Sequence, residues 1–236
     1  MKYSDLRVKL FADGADIVEM MDLQRRPEIK GFTTNPTLMR KAGVTDYTTF
    51  AQTVLAAIPD KPISFEVFAD EFAEMERQAR VIASWGDHVY VKIPITNTRG
   101  ESSAHLISYL SHRGIKVNVT AVLTLAQVGI ATEALYCGAP SYISVFAGRI
   151  ADTGVDPVPM MVEALHRMHK CPAELIWASP REVLNILQAD RIGCHIITVS
   201  SDILMKLPLL GSDLADYSLK TVEMFRDDAV RSCFSI

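Results

Sequence analysis

Val89-Tyr90-Val91-Lys92-Ile93-Pro94-Ile95 is the stretch on which the fold turns. It is β-branched and almost wholly apolar, with one lysine in the middle. A strand this apolar is buried on both faces, as in a parallel sheet packed beneath helices. Lysine is rarely buried without a partner or a task. Desolvation disfavours an ammonium ion, and a neutral amine is a nucleophile. Lys92 is therefore a candidate Schiff-base lysine. The competing reading is a structural ion pair, or a stem lying along the strand with its head in water.

Seven further apolar, β-branched runs flank this one: Val8–Asp13, Gly31–Asn35, Ile63–Phe68, Lys116–Val122, Tyr142–Ala147, Glu174–Ser179 and Cys194–Ser200. Stretches of helical period separate them, at Asp46–Ile58, Asp70–Ser84, Ser102–His112, Leu125–Tyr136, Pro159–His169 and Pro180–Gln188, with a last one at Ser212–Arg231. Strand then helix, eight times, predicts a closed parallel (β/α)8 barrel. A doubly wound sheet would usually carry a Gly-rich first turn, and no GxGxxG follows the first strand. No linker-like segment interrupts residues 1–236, so a single barrel domain is expected. The apolar stripe from Leu214 to Ala229 is expected to cover the barrel.

Composition narrows the function. The 24 basic and 28 acidic residues leave a formal charge of −4 with no long run of either sign, which argues against a nucleic-acid or anionic-membrane surface. Cys137, Cys171, Cys194 and Cys233 form no CxxC pair and suit a reducing compartment. The opening Met1-Lys2-Tyr3-Ser4-Asp5 has no signal-peptide pattern, and no apolar run approaches the ~20 residues that span a bilayer. A soluble cytoplasmic protein is the expectation. His166-x-x-His169 with Cys171 lacks a further ligand and reads as solvated rather than metal-binding.

Alternation along the strands carries the most information, because residues i and i+2 share a face. Thr33 with Asn35, Ser64 with Glu66, Asn118 with Thr120, Ser144 with Phe146 and Trp177 with Ser179 share faces. Lys92 opposes Val91 and Ile93, and Asp13 ends the first strand. Their apolar neighbours suit the outer face, so this set is expected in the lumen near the C-terminal ends of the strands, where barrel enzymes hold their sites. A barrel built for stability alone would fill that lumen with branched apolar side chains.

Gly31-Phe32-Thr33-Thr34-Asn35-Pro36-Thr37, then Val91-Lys92-Ile93-Pro94, then Asn118-Val119-Thr120-Ala121, then Ile143-Ser144-Val145-Phe146-Ala147-Gly148-Arg149-Ile150, resemble the transaldolase family, which groups transaldolases with fructose-6-phosphate aldolases. The resemblance spans residues from about 8 to 225. It implies a Schiff-base mechanism without metal or organic cofactor. Lys92 matches the Schiff-base lysine. Asp13 matches the carboxylate that takes the C4 hydroxyl proton, although it could instead cap a helix at Ala15–Met21. Glu66 matches the acid that works through a water held by Thr120. Thr33, Asn35, Asn118 and Ser144 match substrate-contacting positions. Arg149, Ser179 and Arg181 match a phosphate clamp, suited to guanidinium forks. Ser179 before Pro180, a favoured first helical residue, would add helix N–H donors for the anion.

The resemblance also bears on the kind of reaction. Aldolase-type members carry Gln and Tyr where this chain has Glu66 and Phe146. Both positions take the transaldolase form, which implies transfer of a dihydroxyacetone unit between sugar phosphates. The lyase reaction, another anionic ketose such as a sulfo-sugar, and a non-catalytic sugar-phosphate-binding barrel remain as alternatives. Asp13-Gly14 at the first strand, and the placing of Trp177 and Pro180, depart from the family's usual pattern. The family's ring-shaped assemblies imply a homo-oligomer, such as a pentamer or decamer, with small-molecule partners only and no nucleic acid or membrane.

Overall fold

A computed structural model describes residues 5–233. Its eight strands are β1 (Lys9–Asp13), β2 (Ile29–Thr33), β3 (Ile63–Glu66), β4 (Val89–Pro94), β5 (Val117–Val122), β6 (Tyr142–Val145), β7 (Glu174–Trp177) and β8 (Ile196–Ser200). All pair in parallel with their sequence neighbours, and β8 returns to β1 to close the barrel. The helices are α1 (Ile17–Gln24), α2 (Pro36–Lys41), α3 (Tyr47–Ala57), α4 (Phe72–Ala83), α5 (Ala104–Ser111), α6 (Leu125–Leu135), α7 (Ala147–Asp152), α8 (Pro157–Arg167), α9 (Leu184–Arg191), α10 (Ser201–Leu204) and α11 (Leu214–Arg231). The predicted (β/α)8 barrel is therefore the observed one. Short α1, α2, α7 and α10 are additions that periodicity did not pick out. Four to eight residues give too few turns for an apolar stripe to stand out. Among the described residues no helix is long and apolar enough to cross a membrane.

Two apolar layers divide the interior. The larger lies between strands and helices and holds Val91, Ile93, Val117, Val119, Ile143, Val145 and Leu175, all fully buried. The smaller fills the lower lumen with Phe11, Tyr142, Ile176, Ala178 and Ile196, flanked by Tyr90 and Phe146. Tyr90 and Tyr142 stack with centroids 3.9 Å apart, and Phe11 meets Tyr142 edge-on. Gly31 admits the Phe11 ring, since a Cβ there would come within 2.6 Å of it. Above this layer the lumen turns polar.

Three expectations are corrected. Trp177 belongs to the outer layer, and its strand neighbours Ile176 and Ala178 face the lumen. A large ring finds room under the helices, whereas the lumen at β7 is already occupied by Phe11 and Tyr142. Pro180 does not begin a helix: α9 starts at Leu184, and Asn185 Oδ1 instead accepts the N–H groups of Arg181 and Glu182. The helix N-terminus expected beside Ser179 is thus displaced along the chain. Finally, α11 does not cover the barrel. It follows Gly211, which takes a left-handed φ of 79°, and buries none of its residues. Leu214, Leu219, Val222, Phe225 and Val230 are all exposed.

Candidate active site

The C-terminal ends of the strands surround a cavity of about 400 Å³. Asp13, Thr33, Asn35, Glu66, Lys92, Thr120, Ser144, Phe146, Arg149 and Ser179 all line it. Parallel register explains the meeting: Asp13 lies beside Thr33, Glu66 beside Lys92, and Lys92 beside Asn118. Each pair points the same way because both members have the same parity.

Lys92 is 6% exposed. Its Nζ donates to the carbonyl of Thr34 at 2.9 Å and lies 3.1 Å from Glu66 Oε2. The amine is held at two points in a buried position, and a carboxylate stands close enough to exchange a proton with it. The opposite wall carries Asp13. Burial raises the Asp13 carboxyl above its ordinary range, opposed by the charge of Lys92 and by a hydrogen bond from Thr33, and reinforced by the charge of Glu66. Thr33 Oγ1 donates to Asp13 Oδ1 at 2.7 Å. Asp13 is not a helix cap: Asp16 caps α1, its side chain accepting from Glu19 N–H.

Asn35 caps α2, accepting from Leu38 N–H at 3.0 Å through Oδ1, which commits its carbonyl side and leaves the amide side for the cavity. Pro36 at the first position of that helix fits its fixed φ. Thr120 Oγ1 is buried without a protein hydrogen bond, an arrangement that natural proteins rarely leave unless a ligand or water is received there. The next residue, Ala121, has φ 58°, and Ser179 has φ 56°. The left-handed conformation costs a side-chain-bearing residue about 1–2 kcal/mol, and both strained residues sit in the cavity wall. At Ser179 the turn breaks strand parity and brings the serine inward beyond Ala178.

Two residues expected at the site stand apart from its surface. Asn118 is fully buried beneath it, donating from Nδ2 to Ser64 Oγ at 3.0 Å and accepting from Ser144 Oγ at 2.7 Å. Both of its amide ends are used inside the protein, so it fixes Ser144 from below. Arg181 makes a two-pronged ion pair with Asp152 and is not among the cavity residues. Arg149 does reach the cavity, its guanidinium 5.2 Å from the Phe146 ring centre. Thr198 is a buried polar lining residue that sequence reasoning missed. It is 4% exposed, and its hydroxyl lies 2.5 Å from that of Thr33. The alternation Ile196, Thr198, Ser200 in β8 was the available signal. No motif marks it, because its task is carried by parity alone. His166 lies in α8 and His169 just past its end, and among the described residues no group of three His, Cys, Asp or Glu side chains could hold a metal ion.

The sequence profile of the Transaldolase/Fructose-6-phosphate aldolase family matches residues 10–236. The chain belongs to that family. A protein named "Probable transaldolase" from Dehalococcoides mccartyi is 34% identical over 215 residues, covering 89% of this chain and 96% of its own. One named "Probable transaldolase 2" from Listeria monocytogenes is 34% identical over 226 residues, covering 92% and 97%. Among solved structures, 2,3-dimethylmalate lyase, a member of the PEP mutase/isocitrate lyase superfamily, superposes with a TM-score of 0.56. The match covers 98% of this chain and 86% of that one, and at 10% identity it speaks for the barrel fold alone. The reading as a transaldolase, a transferase, stands on the family match and on these relatives.

Proposed function

We propose that this family member moves a dihydroxyacetone unit from a ketose phosphate, fructose 6-phosphate or sedoheptulose 7-phosphate, to an aldose phosphate, glyceraldehyde 3-phosphate or erythrose 4-phosphate. The observation that carries the proposal is Lys92 Nζ, buried and held between Glu66 and the Thr34 carbonyl, across the cavity from Asp13. Lys92 attacks the C2 carbonyl, and the carbinolamine loses water to give an iminium. Glu66, 3.1 Å from the amine, relays protons during these steps. The iminium accepts the electrons of the C3–C4 bond as Asp13 takes the C4 hydroxyl proton. The first aldose leaves, an enamine remains on Lys92, and the acceptor aldehyde reverses the sequence.

Asn35, through its free amide end, and Ser144 face the sugar hydroxyls. Arg149 and Ser179 receive the anionic head group. Two features favour transfer over release of free dihydroxyacetone: a carboxylate at Glu66, and an apolar ring at Phe146, which offers no proton to the enamine. A lyase would liberate dihydroxyacetone without an acceptor. The exposed apolar residues of α11 support a homo-oligomer. The scattered cysteines support a cytoplasmic setting.

Borohydride reduction in the presence of fructose 6-phosphate, followed by peptide mapping, tests the central step. A covalent adduct on Lys92 is expected, together with product formation only when erythrose 4-phosphate is supplied. No adduct with any ketose phosphate would leave a non-catalytic binding barrel as the better account, and acceptor-independent release would make the protein a lyase.

A further inference from the structure

Asp13 does not stand alone on the wall opposite Lys92. Thr33 Oγ1 donates to Asp13 Oδ1 at 2.7 Å, and the same oxygen lies 2.5 Å from Thr198 Oγ1. A hydroxyl has one proton. When Asp13 is ionised, that of Thr33 is committed to the carboxylate, so Thr198 is the donor in the second bond. The three side chains come from adjacent strands, β8, β1 and β2, with Phe11 in register with Thr198 and Asp13 with Thr33. All are buried or nearly so, in surroundings where each hydrogen bond polarises the next. We infer that Thr198 is a positioning residue for the proposed reaction: it orients the Thr33 hydroxyl toward Asp13 and so sets the proton affinity of that carboxylate. The inference rests on the assignment of Asp13 as the proton acceptor.

The other groups that face Asp13 are accounted for. Lys92 from β4 favours the carboxylate, and Glu66 from β3 opposes it. Neither touches Thr198 in the hydrogen-bond pattern, so a change there isolates the hydroxyl chain. Replacing Thr198 by valine keeps the shape and removes the donor. Thr33 then loses its orienting bond, its own bond to Asp13 weakens, and the carboxyl takes up its proton at higher pH than before.

The carbon-13 titration of the Asp13 carboxyl, assigned with Asp13→Asn, reads this directly and needs no substrate. The midpoint is expected to rise in Thr198→Val and to return in Thr198→Ser. In steady-state assays with fructose 6-phosphate and erythrose 4-phosphate, kcat of Thr198→Val is expected to fall about three- to tenfold, the weight of one hydrogen bond. KM should change little, and the acid limb of the pH profile should move upward. An unmoved Asp13 titration, or a loss of activity that serine does not restore, would reduce Thr198 to packing. Should the valine variant fail to fold, Thr198→Ala carries the same titration. Borohydride trapping at Lys92 separates the two ideas: wild type forming no adduct sinks the proposed reaction, whereas an adduct together with an unmoved titration sinks only this inference.

Discussion

Gly148→Ala tests whether the proposed anion-binding end of the cavity is built as described. Gly148 is buried in the first turn of α7, one residue before Arg149, and its N–H donates to the carbonyl of Ala178 at 3.3 Å. A Cβ on Gly148 would sit 1.5 Å from the carbonyl oxygen of Ser179 and 2.6 Å from its carbonyl carbon. Carbon–oxygen contacts rarely close below about 3.3 Å, so the two backbones would have to part by roughly 1.8 Å. Neither is free to yield. Ser179 is already in a left-handed conformation, and α7 is anchored by fully buried Ala147. Overpacking that only side chains absorb costs about 1–3 kcal/mol, and here backbone must move, so we expect roughly 3 kcal/mol or more. For a chain of this length that lowers the melting temperature by roughly 6–12 °C. The shift also carries Arg149 away from Ser179. Misplacement by about 1 Å can reduce turnover a hundredfold, so kcat/KM for a phosphorylated donor should fall roughly 10–100-fold. Unphosphorylated fructose, which keeps the C3–C4 bond and lacks only the head group, should be far less affected. Differential scanning calorimetry and parallel kinetics on both donors measure this. Gly129→Ala in α6, with open space around its Cβ, is the control and should gain about 0.5–1 kcal/mol. A Gly148→Ala protein that melts within about 2 °C of wild type and keeps its preference for the phosphorylated donor would refute the argument.

Other consequences are open to measurement. Burial raises the folded-state titration of Asp13, so wild type is favoured while the group is protonated and loses stability as pH rises through its folded value. Asp13→Asn should therefore match wild type below the ordinary carboxyl value of about 3.9 and become the more stable of the two toward neutrality, while losing activity. Urea titrations at several pH values check the sign. Burial pushes the Cys194 thiol up to about 12, so iodoacetamide at pH 8 should modify exposed Cys137 and spare Cys194 until the protein unfolds. Asp152→Asn frees Arg181 from a half-exposed ion pair, at a stability change of under about 1 kcal/mol. If Arg181 completes the head-group site, the variant's KM for fructose 6-phosphate falls; an unchanged value leaves Arg149 and Ser179 as that site.

The barrel was legible because each strand is a short β-branched run bounded by polar residues, and the lumen was legible because period 2 is rigid. Lys92, Glu66, Thr33 and Ser144 came to one cavity on parity alone. Parity fails where the backbone leaves the strand. Ser179 reaches the site through a left-handed turn that no residue type announces, and the helix expected at Pro180 is delayed to Leu184 by side-chain capping from Asn185. Trp177 misled because a polar-tipped ring was grouped with the lumen, whereas its volume suits the outer layer. Arg181 could not be placed from its own motif, since its partner Asp152 lies 29 positions away. The stripe on α11 gave an apolar face but not what that face meets.

Phe11, Tyr90, Tyr142, Ile176 and Ile196 close the lower lumen, and this has a kinetic corollary. Among the described residues this layer floors the cavity and leaves the C-terminal mouth of the barrel as the way in. In the proposed reaction, whatever arrives by that route also departs by it, so the first aldose has to vacate before a second can approach the enamine. The order of events is then imposed by architecture, and parallel lines in double-reciprocal plots are its signature. During the interval the intermediate shares its chamber with solvent alone, and its survival depends on how few proton donors the upper walls present.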